Sequence, residues 1–254
     1  MSTDIWIPSG VAEGPPYGTP EWVQDRIGRV TASRFKDVMT EPRSKAAKEA
    51  GELSDTALGY LHEIIAQAIT GKERVGGRSA AMDRGVDMEA DALDYYADTR
   101  MVDLLKGRFL KLVGTNIGAS PDGFIEDDPD GPGLVETKCP ESKTHLATWF
   151  SRQLPQEYYW QVHGQLWVSG RRWCDFVSYD DRFPLPMRTV VIRVHRNQEV
   201  IDELAAKVEA FAQRALDRIH VCRQFLAEAS PAERAVVHDA LKNGVDDLPS
   251  APQG

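Results

Sequence analysis

Hydrophobic side chains recur every three or four residues along much of the chain, and this spacing predicts amphipathic helices. The clearest case places Leu58, Leu61, Ile65 and Ile69 on one helical face, between a capping Ser54 or Asp55 and a terminating Gly71. Further helices are predicted from about Pro20 and at 34–39, 80–98, 142–153, 155–169 and 199–228.

Short apolar runs between these helices predict β-strands. They cover residues 109–113, 117–125, 133–139, 173–179 and 188–194. The segment Glu126–Pro132 combines Asp, Pro and Gly, which is typical of the turn of a hairpin. Helices, then a strand cluster, then a helix, strands and a final helix predict one α/β domain with a mixed sheet.

The two ends of the chain differ from its middle. Residues 1–20 are rich in Pro and Gly and are expected to form an irregular N-terminal arm. Residues 21–228 are expected to form the folded domain, and 229–254 a C-terminal tail with room for one short helix. Within the domain, Glu41–Gly51 is charged and poor in large apolar residues, so we expect a mobile loop there.

Composition narrows the class of protein. The 254 residues are 42% hydrophobic and 27% charged, as in ordinary globular proteins. No apolar run approaches the ~20 residues of a membrane span, and the first ten residues lack a secretory pattern. We therefore expect a cytoplasmic protein that does not contact membranes. Three widely spaced cysteines exclude a disulfide framework and a four-cysteine iron–sulfur cluster within one chain.

The charge is acidic overall but unevenly distributed. A net charge of −9 argues against a protein that coats DNA nonspecifically. The stretch from Arg26 to Lys48, however, contains seven basic and two acidic residues. The stretch from Arg171 to Arg196 contains six arginines and three aspartates. Two basic islands on an acidic chain indicate either a local anion-binding site or two solvated helix faces.

The strongest chemical signal is a pair of acids on either side of the predicted hairpin. Asp122 and Glu136 lie opposite each other if the hairpin is symmetric about Pro129. Because side chains alternate along a strand, Glu136 shares a face with Lys138 while Thr137 points away. Two carboxylates and an ammonium group suit a hard divalent cation, with a basic group beside its coordinated water. A surface ion pair is the alternative interpretation.

A third acid interrupts the apolar face of the helix predicted at 80–98. The other members of that face are Met82, Gly85, Val86, Leu93 and Tyr96. A desolvated carboxylate is unfavourable unless it is paired or bound to metal, so Glu89 is a candidate third metal ligand. Pairing with Arg84, or exposure to solvent, is the alternative.

A candidate anion pocket precedes these motifs. Thr31 and Ser33 lie at the start of a predicted short helix, closely preceded by Arg26 and Gly28. Hydroxyls and free N–H groups at a helix start bind anions, and an arginine donates two parallel hydrogen bonds to a phosphate. A simple helix cap with a solvated arginine is the alternative.

Another candidate surface lies further along the chain. Tyr158, Gln161, Val162 and Gln165 share one helical face, which is polar enough to line a site.

Five short motifs follow one another along the chain, and their order indicates a family resemblance. They are Arg26-x-Gly28…Thr31-Ala32-Ser33, Gly85-x-x-x-Glu89, Ser120-Pro121-Asp122-Gly123, Glu136-x-Lys138-Cys139-Pro140 and Gln161-Val162-x-Gly164-Gln165. Over roughly residues 22–195 the chain thereby resembles the lambda exonuclease/YqaJ-like viral recombinase family. These phage-type alkaline exonucleases belong to the PD-(D/E)xK nucleases. The resemblance implies a restriction-endonuclease-like fold, in which helices flank a mixed central β-sheet.

The resemblance also implies an activity. It is a Mg²⁺-dependent 5′→3′ exonuclease that degrades one strand of linear duplex DNA and leaves a 3′ overhang for recombination. By the family pattern, Asp122, Glu136 and the backbone carbonyl of Thr137 bind metal, and Glu89 completes a two-metal site. Mn²⁺ is an acceptable substitute because both ions take oxygen ligands.

Other residues take their expected roles from the same resemblance. Lys138 would orient or deprotonate the attacking water, with Gln161 beside it, and Arg26 and Ser33, next to Thr31, would hold the terminal 5′-phosphate. Family members form ring-shaped homotrimers around DNA and cooperate with a single-strand annealing protein. If the chain is encoded by a phage, it would act in the cytoplasm of the host cell.

Three alternatives remain open from the sequence. The first is an endonuclease of the same fold, acting at junctions or at a specific site. The second is a catalytically silent DNA-binding or assembly module, in which a lost Asp, Glu or Lys would be expected, yet Asp122, Glu136 and Lys138 are all present. The third is a hydrolase of small phosphate esters, against which the basic stretch from Arg26 to Lys48 favours a polymeric substrate.

Overall fold

The computed structural model describes residues 5–72 and 80–229, and two β-sheets form the centre of this part of the chain. The first sheet has the order β1 (Val11–Pro16), β4 (Arg108–Leu112), β5 (Ile117–Ala119) and β2 (Val30–Thr31). The second has the order β3 (Leu105–Lys106), β6 (Gly123–Ile125), β7 (Gly133–Lys138), β8 (Trp173–Tyr179) and β9 (Thr189–His195). Each contains one parallel pair among antiparallel ones, β2 with β5 and β7 with β8. The predicted mixed α/β class is confirmed, with its strands divided between two sheets.

Helices surround these sheets. They are α1 (Pro20–Arg26), α2 (Phe35–Val38), α3 (Lys45–Glu49), α4 (Asp55–Thr70), α5 (Ala80–Arg100), α6 (Ser142–Ser151), α7 (Tyr159–Ser169) and α8 (Gln198–Glu228). Local chemistry sets their ends. The Ser54 hydroxyl accepts from the Ala57 amide at the start of α4, and Gly71 ends that helix with a φ of 67°. Both ends agree with the sequence prediction.

The expectation of an irregular N-terminal arm is wrong for residues 11–16. This segment forms β1, which pairs antiparallel with β4, Val11 opposite Leu112. Its two prolines are compatible with a strand because β1 lies at the edge of its sheet, where one side of the backbone needs no partner.

Two internal predictions also need correction. The expected loop at 41–51 contains α3, whose start is capped by the Ser44 hydroxyl accepting from the Ala47 amide at 3.1 Å. The strand expected at 117–125 is interrupted, because β5 belongs to the first sheet and β6 to the second. Pro121 lies at this interruption and has no N–H to donate to a strand ladder.

The second sheet is covered on both faces. Leu134, Cys174 and Phe176 pack in the main core with Val162 and Leu166 of α7. On the opposite face, Val135, Trp173 and Val177 pack with Tyr96 of α5. Coverage on both faces explains why β7 and β8 are almost continuously buried rather than alternating.

The long helix α8 closes the main core. Its buried side chains follow helical spacing through Ile201, Leu204, Val208 and Phe211, and Phe211 stacks on Tyr60 of α4 with ring centroids 5.6 Å apart. None of the helices in the described ranges combines the length and apolar character of a membrane span. Of the predicted tail, only Ala229 lies within the described residues.

Candidate active site

The β6–β7 hairpin has the register predicted from its turn. Gly123 pairs with Val135, Phe124 with Leu134 and Ile125 with Gly133, as symmetry about Pro129 requires. Asp122 directly precedes the paired segment, and its amide donates to the Val135 carbonyl at 3.1 Å. The hairpin therefore places Asp122 beside the strand that carries Glu136.

Glu136 is almost completely buried and lies at the centre of a polar cluster. Lys138 Nζ and Gln161 Nε2 both donate to its Oε1, the latter at 2.5 Å. Gln165 Nε2 donates to the other oxygen, Oε2, at 2.5 Å. The two glutamines come from successive turns of α7, so one helix face fixes the carboxylate. The predicted neighbourhood of Glu136, Lys138 and Gln161 is thus present.

Thr137 differs from expectation because its side chain contacts the acidic cluster. Its amide donates to Asp122 Oδ2 at 2.6 Å and its hydroxyl donates to the same oxygen at 2.8 Å. The prediction that Thr137 points away from the acids is therefore wrong. These two donors fix the orientation of Asp122.

Glu89 reaches the same cleft from α5. Together with Asp122, Glu136, Lys138, Gln161 and Gln165, it lines a cavity of about 160 Å³. We call Glu89, Asp122, Glu136 and Lys138 the cleft cluster. The Tyr17 hydroxyl donates to Glu89 Oε2 at 3.0 Å. Of the predicted apolar face of α5, Leu93 and Tyr96 pack against the sheet, whereas the side chains of Met82, Gly85 and Val86 lie outside the described residues.

The alternative partner of Glu89, Arg84, is used elsewhere. Its guanidinium contacts Asp180, at 3.4 Å, and Asp181.

The acids of the cleft cluster carry excess negative charge. Burial, and then the negative charge of Glu136, raises the pKa of Asp122 well above its usual value. Burial also raises the pKa of Glu89. Burial alone would lower the pKa of Lys138, but the charges of Glu136 and Asp122 outweigh it and raise that pKa. The ammonium group therefore holds its proton firmly while two of the three acids favour neutralisation.

The predicted anion-binding residues line the same cavity. Arg26, Thr31 and Ser33 are present with Trp22 and Ser120, and the first three also line an adjoining cavity of about 260 Å³. The Arg26 guanidinium lies 4.0 Å from the centroid of the Trp22 ring, and Trp22 Nε1 donates to the Ser120 hydroxyl at 3.1 Å. The cavity thus joins the predicted phosphate pocket to the acids.

Three lining residues received no role from the sequence: Tyr17, Trp22 and Ser120. Gln165, by contrast, lies on the polar helical face that the sequence predicted to line a site, and Trp22 is four residues from Arg26, so helical spacing could have found it as well. Ser120 adjoins Pro121-Asp122 in sequence. Tyr17 carries no local signal, because it comes from the segment expected to be irregular.

The first basic island is less available to a ligand than its composition predicted. Arg34 donates to Asp37 at 2.5 Å and to Glu63 at 3.1 Å. In the same way, Arg29 pairs with Asp25, Lys45 with Glu49 and Lys48 with Glu41.

In the second basic island, between Arg171 and Arg196, several arginines are likewise paired with acids of the same chain. Arg171 is buried against Glu126, Arg182 pairs with Asp180, and Arg193 pairs with Asp128, Asp130 and Asp175. The sequence left two interpretations of this island open, an anion-binding site and a solvated helix face. Neither describes these three arginines, which stabilise the fold.

The comparison with known families follows this geometry. Residues 21–172 match the family described as the YqaJ-like viral recombinase domain, which is more than half of the chain. The chain belongs to this family. The family resemblance expected from the five sequence motifs is therefore confirmed.

The YqaJ-like chain is also similar to solved structures. The alkaline exonuclease LHK-Exo from Laribacter hongkongensis is 33% identical, with a TM-score of 0.72 over 84% of this chain and 100% of that chain. The values are the same for LHK-Exo in complex with dAMP. A phage-related exonuclease from Haemophilus somnus 129PT is 21% identical, with a TM-score of 0.60 over 78% and 96% of the two chains, and supports the fold alone. No curated protein matches this chain.

The donor set of the YqaJ-like cleft fits a divalent cation. Hard cations prefer oxygen ligands, and Glu89, Asp122 and Glu136 supply carboxylates in one cavity. Gln165 Oε1 is buried without a hydrogen-bond partner in the described part of the chain, and a metal-bound water would donate to it. Among the described side chains, no three or more His, Cys, Asp or Glu form a group that could hold a metal ion by themselves in this arrangement. Water would have to complete the coordination, and Mg²⁺ keeps several of its waters.

Proposed function

We propose that this YqaJ-like chain is a Mg²⁺-dependent 5′→3′ exonuclease acting on linear duplex DNA. It degrades one strand from a 5′-phosphorylated end and leaves a 3′ single-stranded overhang for homologous recombination. Family membership and the similarity to an alkaline exonuclease support a DNA exonuclease role. The observation that carries the finer proposal is one cavity in which three carboxylates and Lys138 adjoin Arg26, Thr31 and Ser33.

Glu89, Asp122, Glu136 and the Thr137 carbonyl would hold two Mg²⁺ ions, for which Mn²⁺ can substitute. When bound, the ions stabilise charge developing on the scissile phosphate and lower the pKa of the attacking water. The chain's own groups prepare this site. Gln161 holds one oxygen of Glu136, while the amide and hydroxyl of Thr137 fix the carboxylate of Asp122.

Lys138 is assigned to orienting the attacking water. Its ammonium group is protonated, because the pKa is raised by the carboxylates of Glu136 and Asp122. A charged ammonium donates hydrogen bonds but cannot accept a proton. In the metal-free protein this protonation state is compatible with orienting the water, one of the two roles that the family pattern allows.

Arg26, Ser33 and Thr31 are assigned to the terminal 5′-phosphate. The Arg26 guanidinium lies over the Trp22 ring, and of the two hydroxyl residues that line the cavity, Ser33 is exposed and Thr31 is buried. An end recognised through phosphate contacts carries no base information, so we expect little sequence preference. We also propose a homotrimer and a single-strand annealing protein as partners, following the family pattern.

The test uses three DNA substrates. They are an end-labelled linear duplex with a 5′-phosphate, the same duplex with a 5′-hydroxyl, and a covalently closed circle, each with Mg²⁺ or with EDTA. We expect mononucleotide release from the phosphorylated duplex in Mg²⁺, slower release from the hydroxyl end, and no product from the circle or in EDTA. Cleavage of the circle would favour the endonuclease alternative, and no cleavage of any substrate would favour the silent module.

A further inference from the structure

One wall of the cleft comes from a residue outside the sequence motifs. Tyr17 follows β1, and its hydroxyl donates to Oε2 of Glu89 at 3.0 Å, across 72 positions of sequence. No motif points to this contact. It joins the N-terminal segment, which the sequence left without a function, to one of the three acids.

The main chain of Tyr17 is tied to the segment that carries Asp122. The Tyr17 amide donates to the Gly107 carbonyl at 3.1 Å, and the Gly107 amide donates to the Asp122 carbonyl at 3.0 Å. Gly107 permits this approach, because a Cβ there would lie 2.1 Å from the Pro121 carbonyl oxygen. Two hydrogen bonds therefore set the position of Tyr17 relative to a predicted metal ligand.

The aromatic ring of Tyr17 is fixed as well. It packs edge-on against Trp22, with centroids 4.8 Å apart and planes inclined by 67°. Trp22 is held in turn by Ser120, to which its indole N–H donates. The direction of the Tyr17 hydroxyl is thus determined by packing before Glu89 is considered.

The chemistry of the donor matters for Glu89. An arginine or lysine at this distance would neutralise the carboxylate, but a hydroxyl holds one oxygen without cancelling the negative charge. The nearest arginine on α5, Arg84, is engaged with Asp180 and Asp181. Glu89 is therefore oriented and still able to attract a cation.

We propose that Tyr17 is a positioning residue, which holds Glu89 through Oε2 and leaves its other oxygen for the second divalent ion. This inference rests on the proposed function, because it assigns a task within that metal site. It makes the β1–α1 segment part of the active site rather than an accessory arm.

The test measures Mn²⁺ binding to the DNA-free protein by isothermal titration calorimetry. The variants are Tyr17→Phe, Glu89→Gln and the double variant, with Tyr95→Phe as the matched control. Tyr95 lies on α5, as Glu89 does, but its hydroxyl donates to the Leu185 carbonyl at 3.5 Å, away from the cleft. We expect Tyr17→Phe to weaken one Mn²⁺ site by roughly ten- to hundredfold, the range of one hydrogen bond to a charged carboxylate, while Tyr95→Phe leaves both sites unchanged.

The double variant separates positioning from a general structural effect. If Tyr17 acts through Glu89, removing its hydroxyl causes no further loss once Glu89 is Gln. A parallel assay should show the Mg²⁺ dependence of cleavage shifted to higher concentration in Tyr17→Phe, with the KM for DNA ends unchanged.

Three results would overturn the inference, and they do so in two distinguishable ways. Tyr17→Phe binding Mn²⁺ as tightly as Tyr95→Phe, or losses that add fully in the double variant, would reject Tyr17 as a positioning residue and leave the proposed function intact. Wild-type protein that binds no Mn²⁺ would reject the metal-dependent function itself, and the inference with it.

Discussion

Two groups of acids at the second sheet differ in how their negative charge is neutralised. The first, which we call the Arg193 network, consists of Arg193, Asp128, Asp130, Asp175 and Tyr96. Its guanidinium donates to Asp175 at 2.9 Å, to Asp130 at 2.9 Å and to Asp128 at 3.1 Å. Tyr96 adds a hydroxyl donor to Asp175 at 2.6 Å. Every acid of this network therefore contacts the same cation.

The cleft cluster is its unbalanced counterpart, with Glu136 and Lys138 on β7, Asp122 just before β6 and Glu89 on α5. Asp175 is in register with Val135, one residue before Glu136, so the two acids point to opposite faces of the sheet. Lys138 contacts Glu136, but the hydrogen bonds described for Asp122 and Glu89 come from uncharged donors, those of Thr137 and Tyr17.

The pKa directions express the difference. Burial raises the pKa of Asp128, but hydrogen bonds from Arg193 and the Asp130 amide outweigh it and the net shift is downward. The pKa of Asp122 is raised, first by burial and then by Glu136. A matched set of acids stabilises the fold, whereas the unmatched set is the one that we propose binds divalent cations.

The largest effect is expected from removing the ammonium group of the cleft cluster. Lys138→Ala should lower the rate of DNA cleavage by at least about 10³-fold, because the attacking water loses its donor, while the Kd for duplex ends changes little. Single-turnover cleavage and a filter-binding assay measure the two quantities. The control is Lys143→Ala, whose side chain is 84% exposed. Normal turnover in Lys138→Ala would reject this role.

Removing the cation of the Arg193 network should instead affect stability. Arg193→Met leaves Asp175 buried without its main partner, which typically costs about 3–5 kcal/mol. Urea unfolding measures this loss, and the cleavage rate per folded molecule should stay near wild type. The control is Arg223→Met on the exposed surface of α8. A stable but inactive Arg193→Met variant would contradict the division between the two groups.

The phosphate pocket predicts a smaller, selective effect. Arg26→Ala should reduce the preference for 5′-phosphate over 5′-hydroxyl ends by roughly tenfold, the loss of one charge-assisted contact. Competition between the two labelled duplexes measures the ratio. Arg29→Ala is the matched control, because Arg29 lines only the adjoining cavity and pairs with Asp25. An unchanged preference in Arg26→Ala would remove Arg26 from the end-binding site.

The smallest expected effect is a change in Tm, and its sign differs between the cleft cluster and the Arg193 network. The folded state holds the Asp122 proton more tightly than the unfolded state, so above the ordinary value of 3.8 this acid makes the metal-free protein less stable as pH rises. Asp122→Asn should therefore raise the Tm in EDTA at pH 8 by a few degrees, as roughly 1 kcal/mol would in a domain of this size. The gain should shrink as the pH is lowered.

Asp128→Asn is the control of opposite sign. The folded-state pKa of Asp128 is lowered, so its ionised form contributes stability above 3.8 that the variant loses. Mg²⁺ should raise the Tm of wild-type protein more than that of Asp122→Asn. A lower Tm for Asp122→Asn than for Asp128→Asn in EDTA would show that the acids of the cleft are not in excess.

The sequence predicted those parts of the site that local rules determine. The turn symmetry fixed the register that brings Asp122 to Glu136, and an acid inside an apolar stripe identified Glu89. The arginine–aspartate spacing of Arg34 and Asp37 could have shown that part of the basic island is internally paired.

Contacts between distant segments were beyond such rules. Tyr17 approaches Glu89 only because β1 pairs with β4, and the prolines of that segment favoured an irregular arm. The break at Ser120–Asp122 was hidden because both halves of 117–125 are strands, although in different sheets. In both cases the structure depends on which strands pair in the tertiary fold rather than on local propensity.

The central claim is that the cleft cluster is a divalent-metal site, and Mn²⁺ can be located directly. Anomalous diffraction from crystals grown with Mn²⁺ should show peaks bonded to the carboxylates of Asp122 and Glu136, with a second ion at Glu89. Crystals that contain Mn²⁺ only at surface positions, with the cleft carboxylates bonded to protein donors alone, would contradict it.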